Sequence, residues 1–314
     1  MPAEPFRLPK SPQGVARGRP SLEEPIPDLR ALAPPRLRRA GASMARAASA
    51  LGSAAAGFLY PPACIGCRAE VMTPHGLCSD CWSETRFIAS PLCRRCGSPG
   101  AGAEDAPFCD ACVGRPQSFA EARAALVYEG AGRRMTLRLK HGDRPDLARP
   151  AGIWMARAGA EMLADADLIA PAPLHWTRLL RRRFNQAAEL ARWTARAAGR
   201  EEALDQGLLR RVRATPSQKG MDRAARIANL AGAFRAAPGR EAALHGATVV
   251  VVDDVLTTGA TLSACAEALR AAGAAQVHAL TLARAPAKEE TEAAAGRMAM
   301  PAPDPAAARP AEGG

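Results

Sequence analysis

Eight of the nine cysteines in this 314-residue chain fall into four C-x-x-C knuckles: Cys64/Cys67, Cys78/Cys81, Cys93/Cys96 and Cys109/Cys112. Spacers of 10, 11 and 12 residues separate them. A knuckle sets two thiolates on one side of a tight turn, and two knuckles complete the tetrahedron that a structural zinc ion prefers. Four knuckles therefore predict two zinc sites with all eight cysteines as ligands. The competing readings are disulfides, an iron–sulfur cluster and redox pairs. Disulfides need an oxidising compartment that nothing else in the sequence supports, and a redox motif does not repeat four times in so short a stretch. Four thiolates leave no position open for water, so the sites are structural. The spacing allows neighbours in sequence to pair, 64/67 with 78/81 and 93/96 with 109/112, or an interleaved arrangement. Gly66 and Gly97 are expected to relieve the backbone where amides approach sulfur.

The module so held, residues 58–115, is too small for a core of its own. Its few aromatics that stack readily (Trp82, Phe87 and Phe108) and its modest charge favour a scaffold or protein contact over nucleic-acid contact. His75 lies outside the knuckle spacing and reads as a loop histidine. Residues 1–57, with nine prolines, many arginines and no sustained apolar period, read as a disordered leader. The Ala-rich stretch Met44–Leu59 reads as a short helix entering the first domain and not as a signal peptide, because the cysteines argue for a reducing, cytoplasmic setting. Residues 286–314 read as a disordered tail. Hydrophobic residues make up 48% of the chain, but much of that is alanine, and no run approaches the ~18 apolar residues of a membrane span. The net charge of +11 suits a phosphate-rich partner, or arginines scattered over solvated faces.

From residue 116 to 285 the pattern changes to alternating strands and helices. Strands are expected at 124–128, 167–174, 248–252 and 277–282. Helices are expected from 135, at 153–163, at 184–198, around 222–230 and at 261–272. Such alternation predicts an α/β domain with a parallel sheet that binds ligands at the C-terminal ends of its strands. The most informative stretch is TVVVVDDVLTTGAT, residues 248–261. Four valines read as a strand buried on both faces. Asp253 and Asp254 stand at its end, and the loop Thr257, Thr258, Gly259, Ala260, Thr261 runs directly into a helix. Loop amides, a helix N-terminus and threonine hydroxyls suit a phosphate, and Gly259 allows close backbone approach. An ionised carboxylate pair only accepts hydrogen bonds, which suits the vicinal diol of a ribose. An ordinary capping Asp and a Thr/Gly turn account for one acid and one threonine, but not for the whole constellation. No Walker-type phosphate loop is present. Cys265, alone on the following helix, reads as a small core residue.

This stretch resembles the phosphoribosyl pyrophosphate (PRPP) signature of type I phosphoribosyltransferases, and residues 58–285 as a whole resemble the competence protein F (ComF) family. That family joins a double zinc ribbon to a parallel-sheet type I phosphoribosyltransferase fold. APAPLHWTRLLRRRFNQAAELA (170–191) is similar to its P-V-P-L…R-G-F-N-Q…L-A segment. Residues 208–234, with Arg211, Arg213, Thr215, Gln218, Arg226, Asn229 and Phe234, are similar to its R-x-R-x-T-x-x-Q…R-x-x-N…A-F segment. LRLKHGDRPDLA (137–148) is similar to its L-K…G…L-A stretch. Arg183, Ala172 and Met221 depart from the family's usual Gly, Val and Leu, and leave the acid pair and phosphate loop untouched. The resemblance implies that Asp253 and Asp254 hold the ribose and residues 257–261 its 5-phosphate. Pro173, Leu174 and His175 would lie near the pyrophosphate. Arg211, Arg213, Gln218 and Lys219 would belong to a mobile loop closing over it, with Arg213 and Lys219 joining the acids as catalytic residues; an ordinary solvated basic loop is the alternative. Arg181–Arg183 reads as solvated surface or as a DNA-backbone contact. The implied cofactors are two structural Zn²⁺ ions and Mg²⁺ arriving with PRPP. The implied partners are PRPP or another ribose phosphate, single-stranded DNA and DNA-uptake proteins. The implied activity is phosphoribosyl transfer to an unnamed acceptor, the alternative being a non-enzymatic PRPP-fold module in DNA uptake or its regulation.

Overall fold

The computed structural model describes residues 61–100, 107–114, 117–140, 144–174, 184–216 and 220–286. The expected leader, the Met44–Leu59 helix, the tail, His175, Arg181–Arg183, Gln218 and Lys219 lie outside the described residues. In chain order the elements are α1 (Ser79–Ser83), α2 (Asp110–Val113), β1 (Ala122–Val127), α3 (Gly130–Lys140), α4 (Ala148–Ala158), α5 (Ala160–Ala164), β2 (Leu168–Pro171), α6 (Gln186–Ala197), β3 (Leu209–Arg211), α7 (Arg223–Leu230), β4 (Phe234–Ala236), α8 (Glu241–Leu244), β5 (Thr248–Leu256), α9 (Ala260–Ala271) and β6 (Gln276–Arg284).

Four strands form one parallel sheet in the order β1-β6-β5-β2. The valine run is buried on both faces, as its composition requires. Val250 and Val252 pack with Met155 of α4 and Leu190 of α6, while Val249 and Val251 pack with Leu262 and Leu269 of α9. Alanine and glycine let the helices approach closely. A Cβ on Gly152 would fall 2.5 Å from Trp193 Cβ, so α4 and α6 cross nearly backbone to backbone. The helix expected at 153–163 is two helices, α4 and α5, broken at Gly159, where a Cβ would meet Leu280 Cδ2 at 2.8 Å. β5 runs past Val252 to Leu256, so both aspartates lie within the strand and not after it. The antiparallel pair β3–β4 was not expected from the sequence.

The cysteine module is built onto this sheet. Residues 86–88 run antiparallel along the free edge of β1: Ile88 N donates to Ala125 O, Val127 N donates to Arg86 O, and Phe87 pairs with Leu126. Ala122 N donates to Arg95 O. An exposed edge strand invites pairing with other chains, and here the ribbon occupies it. Ile65, inside the first knuckle, is buried in the same cluster as Leu126 and Leu139 of the α/β core.

Candidate functional site

The eight knuckle cysteines gather into two clusters, Cys64, Cys67, Cys78, Cys81 and Cys93, Cys96, Cys109, Cys112, with the sulfur atoms of each cluster within 4.8 Å of one another. Neighbours in sequence therefore pair. In each cluster one knuckle lies in a short hairpin, with Cys64 N on Ala69 O and Cys93 N on Ser98 O. The other opens a helix, with Cys78 preceding α1 and Cys109 preceding α2. Gly97 takes the left-handed backbone (φ 67°) that its turn requires, and at the same place in the first knuckle Arg68 adopts φ 76°. Gly66 serves closeness instead: a Cβ there would lie 2.6 Å from Cys81 Sγ.

The donor set fits zinc. Cys67 and Cys78 have their sulfurs 3.6 Å apart, as do Cys96 and Cys109, close to the ~3.8 Å edge of a tetrahedron with ~2.3 Å Zn–S bonds. The amides of Gly66 and Cys78 donate to Cys64 Sγ, and that of Cys109 donates to Cys93 Sγ. Burial alone would raise the Cys64 thiol, but the amides of Cys78, Cys67 and Gly66 bring it down to about 6. Cys93 is brought to about 7 in the same way, its burial outweighed by the amides of Cys109, Cys96 and Arg95. Burial first, and then neighbouring thiols, push Cys81 up to about 12 and Cys109 to about 11, so the full set becomes four thiolates when a cation takes the place of their protons.

The second site lies at the C-terminal ends of β2 and β5. The helix after β2 packs on one face of the sheet and the helix after β5 on the other, which opens a crevice between the two strand ends. Along β5, odd and even positions face opposite sides. The buried Asp254 follows Val252 toward α3 and α6, where its Oδ2 accepts from Gln186 Nε2 at 3.4 Å and lies 3.6 Å from Lys140 Nζ. Asp253 Oδ1 accepts from the Asp254 amide at 2.8 Å. Burial first, and then the neighbouring Asp254 charge, pushes the Asp253 carboxyl up to about 7.

The loop after β5 turns into α9 through Gly259, which has φ 78°. Gln117 braces this turn by donating to Thr258 O at 3.4 Å while its Oε1 accepts from Ser263 Oγ at 2.9 Å. Thr257 is exposed, and its Oγ1 accepts from Arg226 Nη1 at 3.2 Å. Ala260 and Thr261 form the first turn of α9. Pro173 and Leu174 follow β2, which leaves the sheet where Ala172 N donates to Val252 O. The fold thus brings Asp253, Asp254, residues 257–261, Pro173 and Leu174 to one edge of the sheet. Arg211 lies farther out on β3, bonded to Thr215 and stacked over Phe234 at 5.4 Å. Arg213 donates to Asn229 O and Ala231 O, so it closes the C-terminus of α7. Cys265 is buried within the α9 face. The residues the sequence reading left without a role are Lys140, Gln186 and Arg226. Their signals were a lysine in a chain with only four, and the side chain next to Asn185, the N-cap of α6.

A family model described as a double zinc ribbon domain matches residues 55–113, and one described as a phosphoribosyl transferase domain matches residues 211–297. The chain is similar to the DNA utilization protein YhgH of Salmonella typhi, 33% identical over 231 residues that make up 71% of this chain and 97% of that protein. It is also similar to competence protein F of Haemophilus influenzae, 29% identical over 244 residues, 71% of this chain and 96% of that one. A solved structure titled as the allosteric regulatory enzyme of purine biosynthesis is 22% identical with a TM-score of 0.31, covering 46% of this chain and 30% of that one. Among the described residues no helix is long and apolar enough to cross a membrane.

Proposed function

Because this chain belongs to the family of competence protein F and the DNA utilization protein YhgH, a double zinc ribbon joined to a phosphoribosyltransferase domain, we propose that it binds PRPP or a related ribose phosphate in the service of DNA uptake. The observation that carries this reading is the meeting of an acid pair, a lysine and a left-handed glycine turn in the crevice between β2 and β5. Asp253 and Asp254 accept from the ribose hydroxyls. The amides and hydroxyls of residues 257–261 receive the 5-phosphate, with Arg226 holding Thr257 from the side. In the role the family resemblance implies, Pro173, Leu174 and His175 border the pyrophosphate, and Arg213 and Lys219 supply positive charge to it. Mg²⁺ arriving with PRPP would neutralise charge on the pyrophosphate leaving group. As an acceptor lone pair attacks C1 and the C1–O bond breaks with its electrons leaving on pyrophosphate, positive charge grows on the sugar ring beside the two carboxylates, which stabilise it electrostatically. Single-stranded DNA and DNA-uptake proteins are the partners in this reading, and the cytoplasm its setting.

The test is titration calorimetry of the zinc-loaded chain with Mg²⁺–PRPP, followed by a screen of bases and amines for pyrophosphate release. Binding should be lost in Asp253→Ala/Asp254→Ala. Equal affinity in that variant would overturn the assignment. Binding without release for any acceptor would make the protein a PRPP-fold module and not a transferase.

A further inference from the structure

α3 touches the cysteine module along one stripe and the acid pair at its end. Gly130 lies against Glu84, where a Cβ would fall 2.8 Å from the Glu84 carbonyl oxygen. Ala131 is buried in the cluster formed by Cys64 and Cys81. Arg134 Nη2 reaches both Glu84 Oε2 at 2.6 Å and Cys81 Sγ at 3.4 Å. Arg138 Nη1 donates to Gly66 O, inside the first knuckle, at 2.6 Å. Positions 130, 134 and 138 recur about one turn apart on one face of the helix, with 131 beside them. The other face, with Met135 and Leu139, is buried in the α/β core. The last residue of the helix is Lys140, 3.6 Å from Asp254.

We propose that α3 is a strut through which the first four-cysteine site sets the position of Lys140 against Asp254. A zinc ion held by four thiolates carries a net charge of −2, and Arg134 places its cation on one of those sulfurs. Zinc therefore strengthens the grip of the ribbon on α3, and loss of the ion leaves the Arg134 and Arg138 contacts resting on an unfolded knuckle. Arg134 and Arg138 act as positioning residues for Lys140. As a control on ligand binding the strut rests on the ribose-phosphate reading of the site, but the placement of Lys140 can be read without any ligand.

The experiment uses the full zinc-loaded chain. Amine labelling followed by mass spectrometry reports Lys140, one of four lysines. Arg134→Gln should release one zinc equivalent to a chelator roughly tenfold faster, in the range for groups that support metal ligands. It should also label Lys140 roughly two- to fivefold faster, the factor expected for loosening a half-exposed ion pair. Arg134→Lys should restore both. Arg95→Gln, which loosens the second ribbon at its bond to Cys112 O, should leave Lys140 labelling unchanged. Unchanged labelling in Arg134→Gln despite faster zinc loss would overturn the strut, as would an equal effect from Arg95→Gln. Calorimetry with PRPP separates the two claims. If Asp254→Asn binds PRPP normally the ribose-phosphate reading fails, while the labelling result still stands or falls by itself.

Discussion

Gly259→Ala probes the turn that joins β5 to α9. The residue sits at φ 78°, where a side chain costs about 1–2 kcal/mol. The new Cβ would lie 2.6 Å from Gln117 Oε1 and 3.0 Å from Gln117 Cδ. Gln117 must then withdraw from Thr258 O and Ser263 Oγ, two hydrogen bonds worth about 0.5–1.5 kcal/mol each. Backbone and contact together give a loss of about 2–5 kcal/mol, a fall in Tm on the order of 5–20 °C for a domain of this size. Gly246 is the control. It has φ 73° and nothing within 4 Å of a built Cβ, so Gly246→Ala should cost only the backbone part, about 1–2 kcal/mol. The assay is urea denaturation of both single variants, Gln117→Ala and the double variant. In the Gln117→Ala background, Gly259→Ala should fall to the cost of the control, giving a coupling of about 1–3 kcal/mol. A Gly259→Ala variant no less stable than Gly246→Ala, or an additive cycle, would refute the reasoning.

The Asp253 carboxyl, raised to about 7 by burial and by Asp254, keeps in the folded chain a proton that the unfolded chain releases near pH ~4. Its contribution to stability is fully present below that unfolded value and lost as pH rises through about 7. Asp253→Asn should therefore match the wild type near pH ~4 and gain on it progressively up to pH ~8 in a denaturation series; a constant difference would contradict the shift. Removing zinc should strip the ribbon from the β1 edge. Hydrogen exchange should then show the Val127 and Ala122 amides, which donate to Arg86 O and Arg95 O, losing protection while β5 keeps its own, with protection retained at β1 as the contrary result.

Where periodicity was strong, the fold was legible. The valine run, the alternation after residue 118 and the four knuckles each carry a signal that only one kind of element explains. Pairing of the knuckles was not legible, because spacers of 10 and 12 residues suit either arrangement. Amide-to-sulfur bonds such as Cys78 N to Cys64 Sγ fix the choice, and these exist only after folding. The β3–β4 pair was missed because each strand is three residues long and too short to show alternation. It is held instead by tertiary contacts: Leu209 and Phe234 are buried, and Arg211 stacks on the Phe234 ring. The family resemblance gives Arg213 a ligand-facing role, and the bonds it makes to the carbonyls of Asn229 and Ala231 at the end of α7 carry no sequence signal of their own.

The same logic explains why the acid pair was legible and its lysine was not. Two adjacent carboxylates at the end of an apolar strand stand out because burial penalises them, and a sequence keeps such a cost only where something offsets it. Lys140 closes a helix 114 residues earlier, where its rarity and the L-K pattern mark it without naming a partner; Asp254 is found only when the fold packs α3 against β5. Lys140 and Gln186 contact Asp254, whereas Asp253 accepts from the Asp254 amide and feels Lys140 only as a charge that its burial and the Asp254 charge outweigh, so its carboxyl is raised to about 7. That asymmetry makes Asp253 the member of the pair with most to gain from a cation or hydroxyl arriving with a ligand. In this reading, binding should tighten as pH rises through about 7 and the proton on Asp253 leaves.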